Sequence, residues 1–145
     1  MYNTILVPLD LTSADATILP HVESLAHWGG AQLHLLHVAD GHAARNREQL
    51  NLADSPEIVA DREHLARHRA ELAGKGFDVT SHLACGDPIR EILRIARETN
   101  CDLIAMATHG HGFVNDVLLG SVAEGVRHRT DIPVLLVRVK MDEKT

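Results

Sequence analysis

The chain has 145 residues, of which 45% are hydrophobic, 23% are charged and 11 are histidine. A chain of this length buries enough apolar surface to fold as one domain, which excludes a disulfide-stapled miniprotein and a disordered segment. The net charge of −6 at pH 7 and the aromatic content of 3% argue against nucleic-acid binding, which relies on a cationic surface and on base stacking.

The first part of the chain alternates between strand and helix patterns. Thr4–Leu9 is a short apolar run of the kind found in strands buried on both faces. Helical spacing of apolar residues over positions 18–26 predicts a first helix, which should end at the Gly29-Gly30 pair in a left-handed cap. We expect a second strand at Gln32–Val38 and, because residues 39–56 lack periodicity, a surface loop after it.

Cap signals mark the starts of the second and third helices. Ser55-Pro56 offers an N-cap side chain followed by a proline in the first turn, and Asp87-Pro88 repeats this pattern. Between these two helices, Asp78–Ala84 predicts a third strand. In the second helix two sevenfold series are expected to face the core, namely Ile58, Leu65 and Leu72, and Val59, Ala66 and Ala73.

The last part of the chain repeats the alternation once more. Leu103–Ala107 predicts a fourth strand, and a glycine-rich segment follows it. The fourth helix should begin at a capping box, in which the side chains of Ser121 and Glu124 satisfy each other's backbone amides. Pro133–Val139 predicts a fifth strand, with proline at its first position where no ladder donor is lost.

Five strands with four crossover helices predict an α/β fold, a single doubly wound five-stranded parallel sheet with helices on both faces. We expect the domain to span residues 1–140 and residues 141–145 to form a frayed tail. Ligands bind such sheets beyond the carboxyl ends of the strands, where the winding direction reverses. The loops after the first, second and fourth strands are therefore the places to look for a site.

The two cysteines test this layout. Cys85 follows the predicted third strand and Cys101 precedes the fourth, so they should lie at opposite ends of a parallel sheet, roughly 15 to 20 Å apart. Because the Cα atoms of bridged cysteines lie within about 7 Å of each other, we predict two unbridged thiols, both buried and inert.

The sequence also predicts where the protein resides. Its longest apolar runs have four or five residues, far below the roughly 18 that a membrane span requires. The first ten residues carry no basic region and reach Asp10 too early for a signal peptide. We expect a cytoplasmic protein that does not insert into membranes.

The glycine-rich segment is the strongest candidate for a ligand site. Gly110, nine further residues and Gly120-Ser121 stand between a buried strand and a capped helix, where backbone amides and a positive helix end suit a phosphate. The alternative is a flexible crossover loop with a good cap. A Walker A loop is excluded because no lysine precedes Ser121, and a dinucleotide fingerprint because Asn115 stands at its third glycine.

The chain resembles the universal stress proteins over almost its whole length. The matching segments are ILVPLD at 5–10, CGDP at 85–88, CDLIAMATHGHG at 101–112, LLGSVAE at 118–124 and IPVLLV at 132–137. The nucleotide-binding branch of that family carries a glycine, two residues, a glycine, nine residues, a glycine and Ser or Thr. This chain fits that pattern except that Ala107 stands at the first glycine, where alanine disfavours a positive φ.

The resemblance implies a Rossmann-like, adenine nucleotide alpha hydrolase-like fold that binds ATP, ADP or AMP, with Mg²⁺ as a companion ion. The positions implied beside adenine and ribose are Pro8, Leu9, Asp10, Val38, Met106 and Ala107. Those implied around the phosphates are Gly110, Gly120, Ser121 and Val122. His111 beside Gly110 is a further candidate for a phosphate contact, with simple solvent exposure as the alternative. For two of these residues a local role competes, because Asp10 also suits a turn and Ser121 also suits a helix cap.

The resemblance further implies a homodimer in which the fifth strands pair across a two-fold axis. The implied edge residues are Val134, Leu135, Leu136 and Val137. Two functions compete: a regulatory domain that binds adenine nucleotide, and a dimeric interaction module that binds no nucleotide and acts on a protein partner, for which Ala107 would be the sign. We expect no dedicated enzyme, since His109 or His111 would serve as a base but no carboxylate is evident to orient either.

Six of the 11 histidines fall into three groups. His64 and His68, four residues apart on the second helix, suit a metal pair, but without a third ligand a solvated helix face is the expected role. His34 interrupts the second strand as a core residue. We expect His37, His109 and His111 to surround the nucleotide, so that affinity rises as the pH falls from about 7.5 to 6.

Overall fold

The computed structural model describes residues 1–39, 55–109 and 117–139, with the side chains of 109 and 117–119 left out. Its strands are β1 (Thr4–Pro8), β2 (Gln32–Ala39), β3 (Val79–Cys85), β4 (Leu103–His109) and β5 (Val134–Val139). Its helices are α1 (Asp15–Gly29), α2 (Pro56–Gly74), α3 (Pro88–Thr99) and α4 (Val117–Arg129). All five predicted strands and all four predicted helices are present, and the predicted fold class is confirmed.

The five strands form one parallel sheet in the order β3-β2-β1-β4-β5. One face packs against α1 and α2 around a core that includes Ile5, Val7 and Leu35, and the other packs against α3 and α4 around Leu6, Leu36 and Ile104. The chain winds outward from β1 in one direction through β2 and β3, and in the other through β4 and β5. The switch point therefore lies between β1 and β4.

The predicted caps are confirmed at three helix ends. The Ser55 hydroxyl accepts a hydrogen bond from the Ile58 N–H at 3.3 Å, and the Asp87 carboxylate accepts one from the Arg90 N–H at 2.9 Å. Gly30 adopts a left-handed conformation with φ of 65° after α1. These short-range signals set where α1 ends and where α2 and α3 begin.

Two predictions about the helices were wrong. In α2 the series Ile58, Leu65 and Leu72 is buried, but the neighbouring series Val59, Ala66 and Ala73 is exposed, because it lies about 100° further around the helix. The fourth helix begins at Val117 and not at Ser121, so no capping box forms. Instead, the Glu124 carboxylate accepts a hydrogen bond from Arg127 at 2.9 Å.

At its amino end the sheet is tied across the switch point by Asp102. The Asp102 carboxylate accepts hydrogen bonds from the N–H groups of Asn3 at 2.8 Å and Thr4 at 3.0 Å, and its own N–H donates to the Thr4 carbonyl at 2.9 Å. Burial acts to raise the pKa of Asp102, but these backbone donors prevail and hold it below its ordinary value. The start of β1 is thus fastened to the start of β4.

Cys85 and Cys101 are not joined by a disulfide, as predicted. Cys101 is buried, and burial raises the pKa of its thiol, which keeps it in the unreactive protonated form. Cys85 is only half-buried, at the end of an edge strand, so the prediction that both are buried was wrong for this residue. In the described part of the chain no helix has the length and apolarity to cross a bilayer.

His34 and His82 share a hydrogen bond between β2 and β3. The His34 Nδ1 and His82 Nε2 atoms lie 2.9 Å apart, and the two rings stack with centroids 5.2 Å apart. One nitrogen must donate and the other accept, so at most one proton can be added without breaking the bond. Burial lowers the pKa of both imidazoles, and the His82 charge lowers that of His34 further. The pair therefore resists full protonation.

We expect this pair to weaken the fold in mild acid. The folded state binds fewer protons than the unfolded chain, in which histidine has its ordinary pKa of 6.5, so the free energy of unfolding should fall as the pH drops below 6.5. The decrease in the free energy of unfolding should approach the net contribution of one hydrogen bond, about 1 kcal/mol. Urea denaturation between pH 7.5 and 5.5 measures it.

The matched comparison uses a double variant, His34→Gln with His82→Gln, in which neither side chain of the pair can take up a proton. Its free energy of unfolding should depend less on pH than that of the wild type, whereas His27→Gln, at an exposed position of α1, should leave the dependence unchanged. Equal slopes in the wild type and the double variant would show that the pair does not carry this effect.

Candidate functional site

The sheet opens into a crevice at the switch point. β1 and β4 pair at two positions, Ile5 with Leu103 and Leu6 with Ile104, whereas β4 stays paired with β5 as far as His109 and Val139. Beyond the second pair, β1 and β4 no longer bond to each other. The carboxyl ends of these two strands, where Pro8, Leu9, Asp10, Met106 and Ala107 lie, are the place where such sheets bind ligands, and we call the space beyond them the cleft.

The wall on the β1 side is held by β2. The Leu9 N–H donates to the Leu36 carbonyl at 2.7 Å, and His37 Nδ1 lies 2.9 Å from the Leu9 carbonyl oxygen. A carbonyl only accepts, so Nδ1 carries the proton and donates. Leu9 is buried, while Pro8 and Asp10 are half-buried.

Asp10 and Val38 occupy positions consistent with a site at this edge. The Asp10 carboxylate accepts a hydrogen bond from the Thr12 hydroxyl at 3.1 Å, as in the turn role considered from the sequence. Val38 lies in β2, in register with Ala84 of β3, and is half-buried. Neither observation tests a contact with a ligand.

Ala107 lies in extended backbone. The non-glycine residues with positive φ in the described ranges are Leu11 and Asn100, so alanine causes no backbone strain at this position. Its side chain packs into the core beside Leu103 and Ala105, on the face covered by α1. The positive φ that alanine disfavours is therefore not required at this position. Met106 points to the opposite face and is also buried.

Gly120, Ser121 and Val122 lie inside α4. In an α-helix only the first few N–H groups lack an intrahelical acceptor, and with Val117 as first residue the amides of Ser121 and Val122 belong to the helix ladder. The helix ladder thus engages these two amides, and the expected position of Gly120, Ser121 and Val122 beside a phosphate stays a prediction. A Cβ placed on Gly120 would meet no heavy atom within 4 Å, so the surface of the helix is open there.

Three predicted positions fall outside this description. Gly110 and His111 lie outside the described residues, and the side chain of His109 is likewise left out, although its backbone ends β4. Residues 40–54 of the loop predicted at 39–56 also lie outside the described residues. Among the described residues, no group of three or more His, Cys, Asp or Glu side chains is arranged to hold a metal ion.

The sequence interpretation missed a buried carboxylate beside the cleft. Asp15, at the start of α1, is 3% exposed, and the N–H groups of Asp10 and Leu11 donate to it. His68 of α2 faces it, so the expectation of a solvated face was wrong for His68. A signal was present, because His68 stands three residues after Leu65 and four before Leu72, on the buried stripe of α2.

Comparison with known proteins relates the chain to one family. The model of the Universal stress protein family matches residues 1–138. Universal stress protein MJ0577 of Methanocaldococcus jannaschii is 30% identical over 97% of this chain and 97% of its own length. Its solved structure has a TM-score of 0.74 at 31% identity, covering 98% of this chain and 99% of that one.

Two more distant solved structures were obtained with nucleotides. A universal stress protein in complex with cAMP is 20% identical, with a TM-score of 0.70 over 94% of this chain and 97% of that one. One from Archaeoglobus fulgidus in complex with dAMP is 19% identical, with a TM-score of 0.70 over 94% and 98% of the two chains. At 19–20% identity, these comparisons show that the two proteins share the fold of this chain.

Proposed function

Because the chain belongs to the universal stress protein family, we propose that it is a regulatory domain that binds an adenine nucleotide in the cleft between β1 and β4. The observation that carries the proposal is the two-pair contact between these strands, which leaves the cleft open at the switch point. Two structural neighbours bind cAMP and dAMP, which supports adenine as the base. We propose ATP, ADP or AMP as the ligand and Mg²⁺ as its companion ion.

In this proposal the adenine and ribose lie against the carboxyl ends of three strands. Pro8, Leu9 and Asp10 contribute from β1, Val38 from β2, and Met106 and Ala107 from β4. The extended backbone at Ala107 supports binding despite the missing glycine, since its methyl group is directed into the core. The phosphates extend toward Gly110, His111 and the open surface at Gly120, beside the Ser121 side chain and Val122.

Direct identification of the ligand is the first test. The purified protein is denatured, and the supernatant is analysed for adenine nucleotides, while calorimetry measures binding of ATP with Mg²⁺. We expect adenine nucleotide in the supernatant or a calorimetric signal. Absence of both would contradict the proposal and favour the alternative function, a dimeric interaction module.

Substituting Gly120 tests where the phosphates lie. Gly120→Ala should weaken ATP binding about tenfold, because a methyl group would stand where a phosphate approaches, while helix propensity should leave stability unchanged or raise it by up to about 1 kcal/mol. The open space around the added Cβ excludes a clash within the protein. Calorimetry gives the affinity and urea denaturation gives the stability.

Gly74→Ala is the matched control, since a Cβ at this position at the end of α2 also meets no heavy atom within 4 Å. It should leave ATP affinity at the wild-type value. If Gly120→Ala bound ATP as tightly as Gly74→Ala, the phosphates would not lie against Gly120.

We also propose that two copies associate through the open edge of β5. This strand ends the sheet, and beyond it no described strand pairs. Its apolar side chains Val134, Leu135, Leu136 and Val137 are half-buried against the chain's own two core layers. The backbone of the edge, more than these side chains, is thus what a second copy would meet. A further protein partner would act on this dimer.

A further inference from the structure

The loop between β1 and α1 is built around the carboxylate of Asp15. Oδ1 accepts a hydrogen bond from the Asp10 N–H at 3.0 Å, and Oδ2 accepts one from the Leu11 N–H at 2.9 Å. Leu11 has φ of 59°, a left-handed backbone conformation that residues other than glycine seldom adopt. Since Asp15 is 3% exposed, these two hydrogen bonds are shielded from water. The carboxylate therefore fixes the path of the chain at the wall of the cleft.

His68 of α2 approaches the same carboxylate from the other side. Its Nε2 lies 3.8 Å from Asp15 Oδ2, which is too long for a hydrogen bond. This nitrogen is buried and has no hydrogen-bond partner. A buried polar nitrogen without a partner is uncommon, and here it faces a negative charge. With both ring nitrogens protonated, the positive imidazolium would turn this approach into an ion pair.

His37 of β2 lies close to a second carboxylate, which belongs to α2. Its Nδ1 donates to the Leu9 carbonyl, and its Nε2 lies 3.4 Å from Oδ2 of Asp61 on α2. Only the doubly protonated imidazole donates to both oxygens. α2 thus contacts the residues around the end of β1 through two histidine–carboxylate pairs, Asp61 with His37 of β2 and His68 with Asp15 of α1.

Burial and several neighbouring groups act on the Asp15 carboxylate. Burial raises the pKa of Asp15, and the Asp10 N–H, His68 and the Leu11 N–H offset that rise in part, while the Asp10 charge adds to it. His64 stacks on His68 with ring centroids 5.0 Å apart and brings a second titratable group on the same helix. Protonation of His37 and His68 places positive charge opposite Asp61 and Asp15, which favours a closed loop.

We propose that His37–Asp61 and His68–Asp15 form a clamp that closes on protonation and fixes the β1–α1 loop in the shape that receives adenosine. The proposal rests on the adenine-nucleotide function and adds a means of regulating it. Asp15 and His68 are positioning residues, because they act through the backbone of Asp10 and Leu11. Affinity should then rise as the pH falls from about 7.5 to 6, the range in which histidine takes up a proton.

Adenosine is the probe that isolates the clamp, because it has no phosphate that would titrate or attract a histidine. We expect its affinity to rise about fivefold between pH 7.5 and 6 in the wild type, at the low end of ordinary coupling between sites. In His68→Gln and in Asp15→Asn this rise should be reduced, because only the pair of His37 and Asp61 remains. His27→Gln, exposed at the far end of α1, should keep it. A flat profile in the wild type, or an unchanged rise in His68→Gln, would overturn the proposal.

A second measurement follows the loop without any ligand. Hydrogen-exchange protection factors of the Asp10 and Leu11 amides, corrected for intrinsic rates, should increase about fivefold over the same pH range in the wild type and stay constant in His68→Gln. Constant protection in the wild type would overturn the clamp whether or not a nucleotide binds. Changing protection without binding of adenosine or ATP would instead overturn the nucleotide function and leave the proton-linked loop standing.

Discussion

Arg138→Pro is expected to weaken dimerisation about 100-fold, the largest effect among the substitutions considered. The Ile104 N–H donates to the Pro133 carbonyl at 3.0 Å, and backbone groups alternate along a strand. The odd-numbered residues of β5 therefore bond to β4, and the N–H groups of Leu136 and Arg138 point to the open edge. Proline at 138 removes a donor that a second β5 would use, and the ladder to β4 keeps its bonds.

Sedimentation equilibrium measures this effect, and Arg138→Ala is the matched control. The Arg138 side chain is exposed, so alanine removes the same side chain but keeps the N–H, and its dimer should resemble that of the wild type. Substituting Leu135 would be a poorer test, because this side chain packs against the core under α1 and its loss would also destabilise the monomer. An Arg138→Pro protein with the wild-type dimer affinity would exclude the β5 edge as the interface.

Gly125→Leu is expected to destabilise the fold by about 2 kcal/mol. A Cβ at Gly125 of α4 would collide with the Ile89 side chain at the start of α3, with Cγ1 only 3.0 Å away and Cδ1 closer still. Overpacking of this kind typically costs about 1–3 kcal/mol, and the better helix propensity of leucine offsets about 1 kcal/mol. Because leucine adds four carbons, the overpacking cost should lie at the upper end of its range, and about 2 kcal/mol remains after the gain in helix propensity. Urea denaturation at pH 7.5 gives the free energy of unfolding.

The companion variant is Ile89→Ala, which empties the space that the new side chain would enter. The double variant should be more stable than the sum of the two single effects predicts, because the leucine then fills the cavity left by isoleucine. Strict additivity would mean that Gly125 and Ile89 do not limit the approach of α3 to α4. Gly120→Ala, on the same helix but in open space, supplies the reference for helix propensity alone.

The sequence predicts most of the fold because its boundary signals are local. Ser55-Pro56, Asp87-Pro88 and Gly30 each set a helix end through atoms within four residues, and the structure keeps all three. The short apolar runs predict buried parallel strands because both faces of the sheet are covered. These features depend little on the rest of the molecule, so one sequence suffices to find them.

The errors have two sources, a helix start that spacing alone does not fix and a partner that is distant in sequence. Ser121 and Glu124 match a capping box by spacing, but α4 starts one turn earlier, and Glu124 pairs with Arg127. The sequence predicts His68 at the surface, because its partner Asp15 stands 53 positions earlier and is brought to it only by the packing of α1. The Ala107 side chain is directed into the core by strand alternation, which spacing alone did not decide. The candidate site is thus located from the sequence, but its electrostatics are not.

The fastening of β1 to β4 at one end leaves the rest of β1 without that partner. Asp102 and two residue pairs join the two strands at their amino ends, and beyond Leu6 β1 pairs with β2 alone. The ends of both strands, with Val7, Leu9 and Ala107, pack in one core together with α1. A ligand at these ends would therefore rest on two strands that are held together by packing against α1 and not by pairing with each other.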